Sequence, residues 1–257
     1  MMRFSPFSLV PLLLSLVQAQ TPSSENGIYE ERPGLGVFYE FSGPVDVTGS
    51  EYTVFQQPYS ISVEDNGPLF GLAGHMPLNK FIGLQAQAAY QQMKFKYAIQ
   101  ASEDVQKVML GELESTVVGS DTLEALNGLT EDDLKGELIS RNLIVQLGAE
   151  AGYPFFTSYK YQMMGRLLVF GSGSLGKTFF DDSKFDNAVL WGYAYGAGAR
   201  FAWGPVILEG GIRMAHVYWR TYFDPSEMTG DQAMDDTFMM DFDTPLRPYI
   251  RLCWSLY

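Results

Sequence analysis

The feature that most constrains this chain is a two-residue alternation in which one face is apolar and the other is small and nearly uncharged. In Ile82–Gln92 the even positions are Ile82, Leu84, Ala86, Ala88 and Tyr90, while Gln85, Gln87 and Gln91 stand among the odd ones. Ile139–Tyr153 carries mostly Ile, Leu, Val and Ala on one face and Ser140, Asn142, Ile144, Gln146, Gly148, Glu150 and Gly152 on the other. Val189–Trp203 sets Val189, Trp191, Tyr193, Tyr195, Phe201 and Trp203 against Leu190, Gly192, Ala194, Gly196, Gly198 and Arg200. Val206–Arg220 sets Val206, Leu208, Ile212, Met214 and Tyr218 against Glu209, Gly211, Arg213 and Ala215. Period two is the signature of strands whose two faces meet different surroundings. A face turned to water would be rich in Lys, Asp, Glu and Thr. Here lysines sit only at segment ends (Lys80, Lys160, Lys177), and aromatic residues gather there too (Tyr39, Phe41, Trp191, Trp203, Tyr218, Trp254). That distribution suits lipid on the apolar side, with aromatic girdles at the interfaces, better than a soluble sandwich.

Less regular alternation over Leu35–Gly43, Leu69–Leu78, Tyr161–Gly176 and Leu246–Tyr257 brings the predicted strands to about eight. Short connections fall at 77–80, 154–160 and 202–205, long ones at 44–67, 94–138 and 221–245, with 177–187 intermediate. Short turns at one end and long loops at the other are the layout of an outer-membrane barrel. The expected fold is therefore all-β: a single antiparallel up-and-down transmembrane barrel with long acidic extracellular loops and both termini on the periplasmic side.

The first residues read as an export signal. Arg3 supplies the positive start, Phe7–Val17 an apolar core too short to span a bilayer, and Val17-Gln18-Ala19 a small-residue cleavage site. This gives residues 1–19 as signal peptide, 20–33 as an N-terminal periplasmic segment and 34–257 as the barrel. The formal charge of −13 becomes −14 when Arg3 leaves with the signal, which argues against nucleic acid as a partner. The single cysteine, Cys253, excludes an intramolecular disulfide framework.

The aromatic alternating hairpin Val189–Arg220, the segment Asn142–Phe155 leading into Gly165–Gly176, and the closing strand toward Tyr257 resemble the small outer-membrane barrels of the OmpA/OmpX type, a porin-like, eight-stranded class. The resemblance covers residues 34 to 257 as a pattern. It implies residence in the outer membrane, outer-membrane lipids as surroundings and insertion by the barrel-assembly machinery. The last strand departs from the pattern: Ile250, Leu252, Trp254 and Leu256 form its apolar register, which puts Tyr257 on the other face.

With the apolar face toward lipid, the lumen receives Glu40, Glu150, Arg166, Arg200, Glu209, Arg213, Arg247 and Arg251. Eight strands leave an interior only wide enough for its own side chains, so these charges are expected to pair into a network that shuts the lumen. An arginine-lined anion path is the other reading of the same residues.

Gly171–Thr178 matches the phosphate-loop pattern G-x-x-x-x-G-K-[ST], but the residues that follow (Phe179, Phe180, Asp181, Asp182) lack a helical stripe and place carboxylates where a phosphate would lie. No nucleotide site is expected, nor any cofactor. The two histidines, His75 and His216, fall on different strands, the first toward the lumen and the second toward lipid near the outer rim. A lipid-modifying barrel enzyme would need a serine near such a histidine, and Tyr218 stands two residues after His216 instead, so no enzyme is expected. The loops hold the acidity: 101–138 has ten acidic and two basic residues, and 221–245 has seven acidic residues with no Lys or Arg. Ser120, and Thr130 with Asp133, read as caps of short helices within the first. These loops read as a solvated surface; clustered carboxylates also suit divalent cations, although no EF-hand spacing is present and no metal ligand is assigned. The composition supports a structural or surface-recognition barrel with an extracellular ligand at its loops, or alternatively a small pore or transporter for small solutes.

Overall fold

A computed structural model of the chain describes residues 31–47, 53–54, 57–99, 135–183, 185–223 and 236–256. The segments are β1 (Gly34–Glu40), β2 (Asp46–Val47), β3 (Thr53–Val54), β4 (Gln57–Asn66), β5 (Leu69–Pro77), β6 (Ile82–Ile99), β7 (Lys135–Ser158), β8 (Met163–Phe180), β9 (Ala188–Trp203), β10 (Val206–Phe223) and β11 (Asp236–Ser255). No helix occurs among the described residues. Antiparallel pairing runs from β1 to β5, then through β6, β7, β8, β9, β10 and β11 in turn. β11 returns to β1, from Gly34↔Ser255 to Glu40↔Tyr249, and closes the ring. β5 covers the lower part of β6 and β4 its upper part, while β1 and β2 share β11 in the same way. The eleven segments therefore make an eight-stranded barrel.

The short turns are at 78–81, 159–162 and 204–205 and mark the periplasmic end. Asn79 shapes the first, its side-chain oxygen accepting from the backbone N–H groups of Phe81 and Ile82 at 2.8 Å each. Gly204 turns the third at φ 55°, a conformation that favours glycine. The turn expected at 154–160 begins later, because β7 continues through Pro154 across a register shift between Pro154 and Phe156. A bulge is where a strand tolerates a proline.

At the outer end the strands outrun their expected limits. β6 was expected to stop at Gln92 and runs to Ile99; β7 starts at Lys135 and β11 at Asp236. The segment 44–67, expected as loop, contains β2, β3 and β4, and Glu137, Asp241 and Asp243 are strand residues. About 9–11 tilted residues cross a bilayer core, whereas β7 has 24 and β11 has 20. The barrel wall thus continues beyond the membrane on the outer side. The helices expected around Ser120 and Thr130, most of the acidic loop surface, and Tyr257 lie outside the described residues.

Candidate functional site

β6 keeps its inward and outward registers over its whole length, but the chemistry of its two faces inverts partway up. On β6 the inward residues are Gly83, Gln85, Gln87, Ala89 and Gln91, then Met93, Phe95, Tyr97 and Ile99. Its outward residues are Ile82, Leu84, Ala86, Ala88 and Tyr90, then Gln92, Lys94 and Lys96. β11 inverts in the same sense: Arg247, Tyr249 and Arg251 point inward below, Met240 and Phe242 above. The lower barrel is apolar outside and polar inside, the distribution lipid demands. An outward belt including Leu35, Leu72, Leu147, Val169, Tyr195, Phe201 and Trp254 is exposed over the lower wall. A closed barrel of eight strands wearing such a belt is a transmembrane β-barrel of the bacterial outer-membrane class.

Solved structures give the following likenesses. The chain is similar to the outer membrane protein OprG from Pseudomonas aeruginosa at 13% identity, covering 88% of this chain and 94% of that one, with a TM-score of 0.46. It is also similar to the outer membrane protein AlkL at 14% identity, over 91% and 92% of the two chains, with a TM-score of 0.40. A weaker likeness is to the CymD monoaromatic hydrocarbon channel, at 11% identity and a TM-score of 0.20 over 100% and 94%. No protein-family model matches the chain, and no curated protein matches it in sequence.

Inside the lower lumen the structure brings Glu150, Arg166, Arg200, Glu209 and Arg251 into one cluster. Arg200 is its centre. Its Nε donates to Glu209 at 2.7 Å, Nη2 to Glu150 at 2.5 Å, and Nη1 to both Glu150 and Glu31 at 2.6 Å. Arg251 lies 3.2 Å from Glu209 and donates to the Gln85 side-chain oxygen at 2.9 Å, while the Tyr249 hydroxyl donates to Glu209 at 2.9 Å. Glu40, Arg213 and Arg247 form a second cluster. Arg213 donates to Glu40, and Arg247 lies 3.8 Å from the same carboxylate. Between the clusters sits a small apolar layer of Leu168, Phe170 and Tyr249, and Met164, Ala202, Ile207 and Cys253 form another at the periplasmic mouth.

Glu31 was missed from sequence. It precedes β1 in the segment expected to lie in the periplasm, yet its carboxylate accepts from Arg166 at 2.7 Å and Arg200 at 2.6 Å and stands 3.3 Å from His75 Nε2. Burial alone would raise its pKa, but Arg200 and His75 override that and hold the carboxyl well below the usual range. A signal for it existed. The eight lumen residues comprise five arginines and three glutamates, and buried charge without a counter-charge is costly.

The upper lumen is apolar. Phe95, Tyr97, Leu138, Leu190, Trp219, Met240 and Phe242 belong to one buried cluster. Trp219 meets Phe95 and Phe180 edge-on, with centroids 6.2 and 5.0 Å away. Outside this region Lys94 bridges Glu64 at 3.1 Å and Glu137 at 2.7 Å, and Lys96 also pairs with Glu64. Beside it the ladder of the described residues is interrupted. β1 leaves the β5 ladder after Glu40↔Leu69, and among the described residues no ladder joins β2 to β4. Arg247 donates to the carbonyls of Pro44 at 3.0 Å and Gly43 at 3.3 Å, and the Asn66 amide to Gly43 at 3.1 Å, so the kinked segment 41–45 is held from the lumen side.

His75 lies in the lower lumen, its Nε2 3.1 Å from the Arg32 carbonyl oxygen. His216 faces outward, stacked on Tyr193 at 5.0 Å, with Asp243 at 2.8 Å and Asp241 at 3.1 Å from its two ring nitrogens. It therefore marks a polar rim of the belt, not the hydrocarbon. The phosphate-loop match Gly171–Thr178 is extended strand within β8, and the Lys177 ammonium lies over the Phe179 ring at 5.2 Å. Among the described residues no helix N-terminus follows it to receive a phosphate.

Proposed function

We propose that this protein admits small apolar solutes across the bacterial outer membrane, taking them from outside into its upper lumen. The observation that carries the reading is the apolar lining itself. Lumens of outer-membrane barrels are ordinarily polar, whereas here Phe95, Leu138, Leu190, Trp219, Met240 and Phe242 face inward. Such a surface favours an apolar guest by roughly 25 cal/mol for each Å² of apolar area taken from water. Below it, the Arg–Glu clusters with Glu31 close the lumen to ions and to apolar guests alike. An apolar guest would leave sideways where the ladder is interrupted between 41–45 and β4, above the lower cluster, by parting the Asn66–Gly43 hydrogen bond. In this reading the protein catalyses nothing, carries no cofactor, and works among outer-membrane lipids after insertion by the barrel-assembly machinery. Its likeness to the OmpA/OmpX type is then one of strand count and turn layout.

The test uses vesicles whose outer leaflet is lipopolysaccharide, a barrier to N-phenylnaphthylamine. Vesicles carrying the barrel should take up the dye several-fold faster than protein-free ones while planar bilayers with the same protein show no large steady current. Entry no faster than in protein-free vesicles removes the solute reading. The structural or surface-recognition role would then stand, supported by the tight aromatic packing of Trp219 against Phe95 and Phe180.

A further inference from the structure

Among the described residues the apolar upper lumen has a polar place in its wall whose side chains are left without partners. On the β7–β8 side Ser140, Asn142 and Thr178 point inward, each at 0% exposure. Asn142 stands directly across the ladder from Thr178, and Ser140 across from Phe180. On the other flank β6 sets Gln91 beside Asn142 and Met93 beside Ser140. Gln91 is already engaged, donating to the Asn66 side-chain oxygen at 2.8 Å and to the Gly67 carbonyl at 3.1 Å. Among the described residues neither the oxygen nor the nitrogen of the Asn142 amide has a hydrogen-bond partner, and the same holds for the hydroxyls of Ser140 and Thr178. Leu190 and Trp219 belong to the surrounding apolar cluster.

Buried polar groups are nearly always hydrogen-bonded, so four unpartnered atoms at one place call for a cause. If these side chains only completed the wall, Asn142 and Thr178 could bond each other, since opposed residues of a ladder are within reach. They do not. Apolar isosteres at these positions would also remove the desolvation cost without loss of fit.

We infer that Ser140, Asn142 and Thr178 form a hydrogen-bonding patch for the uncharged polar group of a small amphipathic solute held in the apolar lumen. This rests on the solute reading above and narrows its substrate class. An amide and two hydroxyls both donate and accept, which suits an alcohol or an amide better than a bare hydrocarbon. Charged head groups are disfavoured, because the charges nearest in sequence, Arg141 and Lys177, occupy the outward register and are exposed. A carboxylate or ammonium at the patch would be buried without a counter-ion.

Equilibrium dialysis of the full barrel in lipid nanodiscs tests this, with binding to empty discs subtracted and with benzyl alcohol, toluene and benzoate as probes. The variant Ser140→Ala/Asn142→Leu/Thr178→Val should bind benzyl alcohol about tenfold more weakly than the parent and toluene equally well, a loss on the scale of one hydrogen bond. Thr178→Val alone, which keeps the side-chain shape, should weaken benzyl alcohol about threefold, and it decides the matter if the triple variant does not fold. Unchanged benzyl alcohol binding in the folded variant overturns the patch, while toluene binding leaves the apolar-lumen reading standing. Benzoate bound as tightly as benzyl alcohol overturns the restriction to uncharged groups. A parent that binds neither neutral probe overturns the patch and the solute reading together.

Discussion

The lower and upper halves of this barrel use the same strands and opposite chemistry. Below, β6 shows lipid Leu84, Ala86 and Ala88 and turns Gln85 and Gln87 inward; above, it shows water Lys94 and Lys96 and turns Phe95 and Tyr97 inward. The two-residue period never breaks along β6; only the medium outside changes. Each half puts its apolar side where water is not. Stability of the lower half accordingly depends on charge balance inside and aliphatic surface outside, while the upper half has the core of a small soluble barrel. A substitution should therefore be harmless or damaging according to the half it falls in.

The largest effect is expected at the charge centre. Arg200→Met leaves Glu31, Glu150 and Glu209 short of their shared cation and should cost about 3–5 kcal/mol, as when one member of a buried ion pair is removed. Urea unfolding in micelles, followed by heat-modifiable gel migration, reads it. Adding Glu150→Met should recover part of the loss, because Arg166 and Arg251 still face Glu31 and Glu209. Equal stability of Arg200→Met and the parent would show that the cluster does not hold the lower lumen.

A smaller effect separates the two outer surfaces. Leu147 is 63% exposed in the middle of the β7 belt, and Leu147→Lys should cost about 2–4 kcal/mol at the bilayer midplane. Gln92→Lys, outward on β6 beside Lys94, should leave the same unfolding midpoint within error. Matching losses at the two sites would place the membrane boundary elsewhere.

Much of this was legible from alternation alone. The eight strands, their inward register and the eight charged lumen residues follow from which side of each strand is apolar. The outer extensions are not legible to a face rule that assumes lipid along every strand. By that rule Lys94 and Lys96 mark the start of a loop, although Met93, Phe95 and Tyr97 continue the same period in inverted sense. Asp241 and Asp243 look like loop for the same reason, yet acidic residues in an outward register signal water and not the end of a strand. Glu31 was out of reach of periodicity, belonging to no strand; only the surplus of arginine pointed to a missing carboxylate. The Ser140, Asn142 and Thr178 patch was visible as polar residues on a lumen face, but that they lack partners depends on how the neighbouring strands close around them.

Glu31 gives the smallest and most specific prediction, since it joins the lower half without belonging to the wall. Glu31→Gln keeps the shape and removes the charge, and should lower stability at pH 7 by about 1.5–3 kcal/mol, the scale of charge-assisted hydrogen bonds. The folded carboxyl is held below its ordinary value by Arg200 and His75 against the opposing effect of burial. A group depressed in this way contributes fully above its unfolded pKa, and loses that contribution only as pH falls toward the folded one. The difference between parent and Glu31→Gln should therefore stay level from pH 8 to pH 5 and shrink only below the ordinary carboxylate range. Unfolding midpoints of both proteins across that range supply the measurement. A difference that is near zero at pH 7 and does not change between pH 8 and pH 3 would mean that Glu31 titrates as an exposed carboxylate, so that the N-terminal segment does not bolt the mouth and the arginines of the lower half must find their balance elsewhere.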